Sequence, residues 1–302
     1  EGYPSYVGLA RSGELARRRE RAMALLESCA LCPRRCGVNR LEDERGVCGV
    51  GRNAIVSGAH AHFGEEGALV GERGSGTIFF SGCNLKCVFC QNYEISHDLA
   101  GEEATPGRLT ALMFRVRELG CHNLNLVTPT HVVPQVLEAL ESAVEDGFDL
   151  PIVYNTGGYD SLEVLRLLDG VVDVYMPDVK FFDAAAARRL ADAEDYPAVA
   201  RAAVREMHRQ VGDLELSDDG VAVRGLLVRH LVMPGMLDDT KRIAEFLAGE
   251  ISRGTYVNVM AQYRPEHRAC EHPQLDRPLS RDEWREAVRL AREAGLSRFD
   301  PG

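Results

Sequence analysis

Apolar residues along this chain form short runs that alternate with longer amphipathic segments. Six of the runs predict β-strands, and segments with helical periodicity follow them. The strands are predicted at 77–80, 123–127, 151–154, 173–176, 226–232 and 256–260, and the helices at 109–119, 133–144, 162–168, 184–190, 199–211, 239–247 and 281–294. Because strands that alternate with helices pair in parallel, this pattern predicts an α/β fold.

Three further segments lie outside the alternation. Residues 12–28 predict an N-terminal helix with a basic outer face. Residues 53–76 predict short strands joined by glycine turns. Residues 214–223 contain Asp-Asp-Gly between two short extended runs, which predicts a β-hairpin inserted before the fifth strand.

Length, composition and charge exclude several classes of protein. The 302 residues suit one large domain or two small ones, and 45% apolar with 27% charged residues is typical of a globular chain. No apolar run approaches the roughly 20 residues that span a bilayer. Because 46 acidic residues outnumber 35 basic ones, the net charge of −11 repels nucleic acid and anionic membranes. We therefore expect neither partner.

The nine cysteines carry the chemical information. An odd number in a chain of this length is not typical of a disulfide framework. Seven of the nine fall into two tight clusters with the spacing of metal ligands. Free thiols in such clusters indicate a reducing compartment, and we predict a cytoplasmic location.

The second cluster, Cys83-x3-Cys87-x2-Cys90, directly follows the first strand of the β/α series. In parallel α/β folds, functional groups lie in loops at the carboxyl ends of strands. Three thiolates hold three irons of a [4Fe–4S] cluster and leave the fourth iron without a protein ligand. The alternative is a structural zinc with a remote fourth ligand, but zinc sites commonly use paired Cys-x-x-Cys motifs, and no second pair lies nearby.

This spacing, with Phe89 before the third cysteine, resembles the signature of the radical S-adenosylmethionine (SAM) superfamily. The resemblance implies a partial (β/α)6 TIM-like barrel, residues 74–302, preceded by an N-terminal helix and Cys-rich metal-binding extension, residues 1–73. It implies that SAM binds the fourth iron and is cleaved to a 5′-deoxyadenosyl radical that abstracts hydrogen. A low-potential flavodoxin or ferredoxin is the implied electron donor.

Other segments are similar to the branch related to pyruvate formate-lyase activating enzyme. They lie at 32–40, 74–83, 154–159, 230–235 and 262–265. This similarity implies hydrogen abstraction from a glycyl-radical protein. A radical SAM enzyme that modifies a small molecule or peptide is the alternative. A protein without enzymatic activity, either an iron–sulfur electron carrier or a zinc scaffold, would also account for the cysteines.

The same resemblance implies a set of SAM-binding positions at strand ends. They are Thr128, Thr130, Asn155, Thr156, Met176, Asp178, Lys180, Arg229 and Gln262. Thr128 and Thr130 match the place that holds the SAM amino group, and Arg229 matches an arginine that clamps the carboxylate. Asn155 stands where activating enzymes carry an acidic ligand of a monovalent cation, and Gln262 where they carry histidine. The cation site thus lacks one formal charge.

The first cysteine cluster is Cys29-x2-Cys32-x3-Cys36-x11-Cys48. Four thiolates within this span fit either a tetrahedral zinc or a second iron–sulfur cluster. A structural zinc is our working interpretation, with the cluster as the alternative.

A polar segment before the first strand has two interpretations. His62 is followed by Phe63-Gly64-Glu65-Glu66. The segment either faces the predicted site or forms a solvated loop.

Overall fold

The computed structural model describes residues 4–301, and a ten-stranded sheet forms its centre. The strands are β1 (Ala54–His62), β2 (Ser75–Phe80), β3 (Glu102–Ala104), β4 (Leu124–Val127), β5 (Ile152–Thr156), β6 (Val174–Pro177), β7 (Glu215–Leu216), β8 (Ala222–Leu231), β9 (Tyr256–Met260) and β10 (Arg298–Phe299). The helices are α1 (Tyr6–Arg11), α2 (Glu14–Ala24), α3 (Gly67–Val70), α4 (Tyr93–Ser96), α5 (Pro106–Glu118), α6 (Val133–Glu145), α7 (Leu162–Leu167), α8 (Ala184–Ala191), α9 (Tyr196–Val211), α10 (Leu237–Phe246) and α11 (Arg281–Glu293).

Six strands lie side by side in chain order, β2, β4, β5, β6, β8 and β9, and every neighbouring pair among them is parallel. Antiparallel β1 and β3 extend the sheet beyond β2, and β10 extends it beyond β9. The order ends at β3 and β10, so the sheet is an open, partial barrel. This confirms the predicted α/β fold and its six parallel strands.

The two faces of the sheet are buried in different ways. Leu124 and Leu126 of β4 pack with helix residues such as Leu109 and Val136 in the main hydrophobic core. The alternate β4 residue Val127 lines the cavity described below. Because both faces are covered, strands such as β5 and β6 are buried along their whole length, as is typical of parallel sheets.

Helix α3 fills part of the interior of the partial barrel. Its residues Ala68 and Leu69 belong to a buried cluster with side chains of β5, β6, β8 and β9. That cluster contains Val153, Val174, Met176, Leu214, Ala222, Leu227 and Tyr256. The amide of Asn123, just before β4, donates a 2.9 Å hydrogen bond to the carbonyl of Leu69. The helix therefore closes the amino-terminal half of the interior.

Three local predictions differ from the structure. The helix predicted over 12–28 is shorter in the structure, because α2 begins after Gly13, with φ of +72°, and ends at Ala24. The predicted hairpin exists, but its second arm is the beginning of β8 and not a separate insertion. Residues 53–76 contain the nine-residue strand β1, which pairs antiparallel with β2.

The predicted boundary between residues 73 and 74 lies between α3 and β2 and stays a prediction. Residues 1–3 and 302, which the predicted domains include, lie outside the described residues. In the part of the chain that the structure describes, no helix is long and apolar enough to cross a membrane.

Candidate active site

The loop that carries Cys83, Cys87 and Cys90 follows β2 directly. Gly82 begins it with φ of +83°, and a Cβ at this position would lie 2.5 Å from the carbonyl oxygen of Cys48. Only glycine accommodates both this conformation and this close approach. Two backbone N–H groups of the loop donate to carbonyls at the end of α8, over 3.1 and 2.9 Å. The loop is thus held on both sides.

The three cysteines face a cavity of about 240 Å³ at the carboxyl ends of the parallel strands. The cavity also receives seven of the nine side chains predicted to bind SAM. These are Thr128, Asn155, Thr156, Asp178, Lys180, Arg229 and Gln262. Thr130 and Met176 do not line it. The topology therefore brings residues of β4, β5, β6, β8 and β9 to one place, opposite the cysteine loop.

The thiols lie in a poorly solvated environment. Burial raises the pKa of Cys83 to about 11 and raises that of Cys87 further, while the Lys180 ammonium lowers both. The backbone N–H of Leu85 lies 3.4 Å from Cys83 Sγ, and Ser96 Oγ lies 3.1 Å from Cys90 Sγ. Three convergent thiols with hydrogen-bond donors suit an iron–sulfur cluster, whose sulfurs accept such bonds. The residues present therefore fit the group that the loop spacing predicts.

A network of charges forms the opposite wall. Asp178 accepts hydrogen bonds from Lys180 Nζ and, over 2.8 Å, from Arg229 Nε. Arg229 also donates over 2.6 Å to Asn155 Oδ1, and its Nη1 lies 3.5 Å from Glu65 Oε2. Burial alone raises the pKa of Asp178, but Arg229 and Lys180 outweigh it and hold this pKa below its usual value. The wall thus presents fixed charges to a ligand.

Thr128 has an unusual backbone conformation at the end of β4. Its φ is +59°, in the left-handed region that a β-branched residue rarely adopts. Its N–H donates a 2.8 Å hydrogen bond to the carbonyl of Asn155. Strain of this kind is found at ligand-binding sites, where the surrounding structure holds it in place.

Thr130 and Thr156 belong to a buried hydroxyl network behind the cavity. Asp160 accepts hydrogen bonds from Thr130 Oγ1, Thr156 Oγ1 and Tyr154 OH, over 2.8, 2.7 and 2.9 Å. Burial raises the pKa of Asp160, and the three donors lower it. Thr156 alone reaches both the network and the cavity. The sequence alone does not single out Asp160, which directly follows the segment 154–159.

The remaining predicted residues occupy different surroundings. Met176 is fully buried among the interior residues that contact α3. Gln262 lies at the exposed edge of the cavity, where its backbone carbonyl accepts a 2.9 Å hydrogen bond from Gln91 Nε2. In the polar segment 62–66, Glu65 forms an ion pair with Arg229, and Glu66 accepts a 2.9 Å hydrogen bond from Asn258 of β9. Its acidic residues thus face the barrel interior.

Comparison with known proteins decides the family. Residues 77–247, from β2 to the end of α10, match the Radical SAM superfamily. The chain belongs to the radical SAM superfamily. A relative, an uncharacterized protein of Methanocaldococcus jannaschii, is 35% identical over 287 residues, which cover 92% of this chain and 78% of the relative.

Membership gives the predicted motif its chemical meaning. Radical SAM proteins are enzymes that use a [4Fe–4S] cluster and SAM, and they generally take electrons from flavodoxin or ferredoxin. The family match confirms the prediction that the chain is a radical SAM protein. The activating-enzyme branch is a finer assignment, which the uncharacterized relative does not extend.

Proposed function

We propose that this chain binds SAM in the cavity between the cysteine loop and the charged wall, and uses it to abstract hydrogen from a substrate. The convergence of Cys83, Cys87 and Cys90 with seven of the predicted SAM-binding side chains carries this proposal. When bound and reduced, the cluster supplies the electron that breaks a carbon–sulfur bond of SAM.

The side chains of the wall divide the binding between them. Arg229 offers a planar, bidentate donor to the SAM carboxylate, and Lys180 adds a second positive charge. Asp178 and Asn155 fix the orientation of Arg229 through their 2.8 and 2.6 Å hydrogen bonds. Thr128 and Thr156 present polar groups from the neighbouring strands. The chain thus orients SAM and excludes water from the radical.

The finer form of the proposal is an activating-enzyme-like role, in which the hydrogen comes from a backbone glycine of a partner protein. The segments at 74–83, 154–159 and 262–265 support it, because they resemble that branch and border the cavity. Asn155 and Gln262 depart from the branch pattern. Neither changes the ligands of the cluster.

The first experiment tests SAM cleavage. The protein is reconstituted anaerobically with iron and sulfide, reduced with dithionite and incubated with SAM, and 5′-deoxyadenosine is measured by chromatography. We expect formation by the wild type and by Cys121→Ala, and no formation by the Cys83→Ala, Cys87→Ala, Cys90→Ala triple variant. Cleavage by the triple variant would overturn the proposal, and no cleavage by the wild type would favour the electron carrier or scaffold.

A second experiment tests the finer role. The reduced enzyme and SAM are mixed with a protein of the pyruvate formate-lyase type, and the carbon radical is sought by electron paramagnetic resonance (EPR). A glycyl radical signal that needs all three components supports the role. SAM cleavage without such a signal favours modification of a small molecule or peptide.

A further inference from the structure

The segment between α2 and β1 contains four cysteines but almost no regular secondary structure, apart from a 3-10 turn at Arg40–Glu42. It is folded by short-range backbone bonds. Cys29 N–H donates to Val38 over 2.9 Å, and Gly37 N–H donates back to Cys29 over 3.1 Å. Gly46 packs so closely on Cys36 that a Cβ would lie 2.7 Å from its Sγ. Such a segment is typically stabilised by a metal.

The four thiols are poorly solvated. Cys29, Cys32 and Cys48 are buried, and Cys36 is half-buried. A short turn, in which the Arg35 N–H donates to the Cys32 carbonyl over 3.0 Å, leads from Cys32 to Cys36. The chain thus gathers four sulfur ligands from 20 residues.

Arg40 supplies a buried positive charge beside these thiols. Its side chain is 1% exposed and donates only to backbone carbonyls, of Gly51 over 3.0 Å and of His131 over 2.7 Å. Its Nη2 has no hydrogen-bond partner among the described residues, and its charge lowers the pKa of Cys48. A buried guanidinium needs a compensating anion. A metal centre held by four thiolates carries net negative charge and meets this need.

Hydrogen-bond donors already point at the sulfurs. Val47 N–H lies 3.4 Å from Cys36 Sγ. The Cys32 thiol is hydrogen-bonded by the backbone of Arg34 and by the side chain of Asn84, and both lower its pKa. Hydrogen bonds to sulfur are one of the means by which proteins set the potential of iron–sulfur clusters.

The same contacts place this segment directly against the first cysteine loop. Asn84, which reaches Cys32, lies between Cys83 and Cys87, and its carbonyl accepts a 2.8 Å hydrogen bond from Arg34 Nε. Gly82 lies against the carbonyl of Cys48. Two separate contacts therefore join the two cysteine groups back to back.

We propose that Cys29, Cys32, Cys36 and Cys48 hold a second [4Fe–4S] cluster. Thiols with hydrogen-bond donors at sulfur suit such a cluster, and the segment lies directly against the loop that holds the first one. With four protein ligands, this cluster has no open iron for SAM. It exchanges one electron with a flavodoxin- or ferredoxin-type donor.

Metal analysis and EPR of the anaerobically purified, full-length protein test the proposal. We expect about eight irons per chain in the wild type, as two cubes require. The Cys83→Ala, Cys87→Ala, Cys90→Ala variant should keep about four, with a reduced-cluster EPR signal that added SAM does not change. The Cys121→Ala, Cys270→Ala double variant is the matched control and should keep all eight.

Either of two results overturns the proposal. One is about four irons together with one zinc in the wild type. The other is a loop variant without iron. Because the loop variant keeps all four N-terminal cysteines, the test does not depend on whether a variant without them folds. If the wild type contains eight irons but cleaves no SAM, the proposed function fails and the second cluster stands.

Discussion

Arg229 carries a positive charge in the cavity and is held by Asp178, Asn155 and Glu65. Replacing it with Ala removes the fork from the SAM carboxylate and leaves Glu65 without its cationic partner. We expect SAM binding to weaken by about 1–3 kcal/mol, the value of a hydrogen bond to a charged group. Iron content should not change, because Arg229 does not ligate iron. Calorimetric titration with SAM measures the effect.

Arg285→Ala on the exposed surface of α11 is the control for Arg229 and should bind SAM as the wild type does. Equal affinity of Arg229→Ala and the wild type would assign Arg229 a structural role only.

Asp160 lies behind the cavity, where it accepts hydrogen bonds from three hydroxyl groups. In Asp160→Asn, an amide group with two N–H donors replaces an acceptor that three hydroxyls share. At least one hydroxyl then loses its acceptor. We expect a loss of about 1–3 kcal/mol in the free energy of unfolding, measured by urea titration. Asp192→Asn, at an exposed left-handed position that Asn tolerates, should change little. A stable Asp160→Asn variant would contradict this account of the network.

Among the elements, the β2–loop junction is the most constrained. Gly82→Ala places a methyl group against the backbone of Cys48 at a residue with φ of +83°. We expect a lower melting temperature and a lower iron content, because the loop and the N-terminal segment must separate. Gly107→Ala in the first turn of α5 is the matched control, since a Cβ there meets nothing within 4 Å. It should leave stability unchanged or raise it. Equal behaviour of the two variants would contradict the close contact.

The elements also show why the sequence predicts some structure and not the rest. Strands β4, β5, β6 and β9 are apolar enough to be located within two residues of their ends, because they are buried on both faces. The two-residue β10 and the three-residue β3 are too short to show the alternation of apolar and polar residues that identifies a strand. In residues 12–28, the apolar pattern continues through Leu25 and Leu26, but α2 ends at Ala24, so the pattern extends beyond the helix.

Some residues of the site could be predicted from the sequence and others could not. Residues at strand ends could be predicted from the resemblance, because parallel strands bring their carboxyl ends together. Asp160 could not, since its role depends on three hydroxyls that only the folded chain assembles. Glu65 reaches Arg229 across more than 160 residues of sequence, and no local pattern reports such a contact.

For the whole molecule, a buried histidine links stability to pH. Burial lowers the pKa of His230 to about 4, below its usual value, while its ring nitrogens contact the Val179 carbonyl and Thr240 Oγ1 over 2.8 Å each. As the pH falls below about 6.5, His230 binds a proton in the unfolded chain but stays neutral in the folded chain. The contribution of His230 to stability is therefore lost between about pH 6.5 and 4, by up to about 1.4 kcal/mol per pH unit.

Comparison with His230→Gln isolates this effect from the other titrating groups. The unfolding free energy of both proteins is measured by urea titration at intervals over that pH range. The difference between wild type and variant should shrink as the pH falls. A difference that does not depend on pH would contradict a neutral, buried His230.

Helix α3 gives the enzyme a barrel with a floor. Because Ala68 and Leu69 pack against the interior side chains, nothing can be threaded through the barrel from end to end. Whatever reacts at the cysteine loop therefore approaches from the opposite end, where the exposed Gln262 lines the cavity. A polypeptide substrate would present a tight turn or a free end there, and would not pass through the barrel.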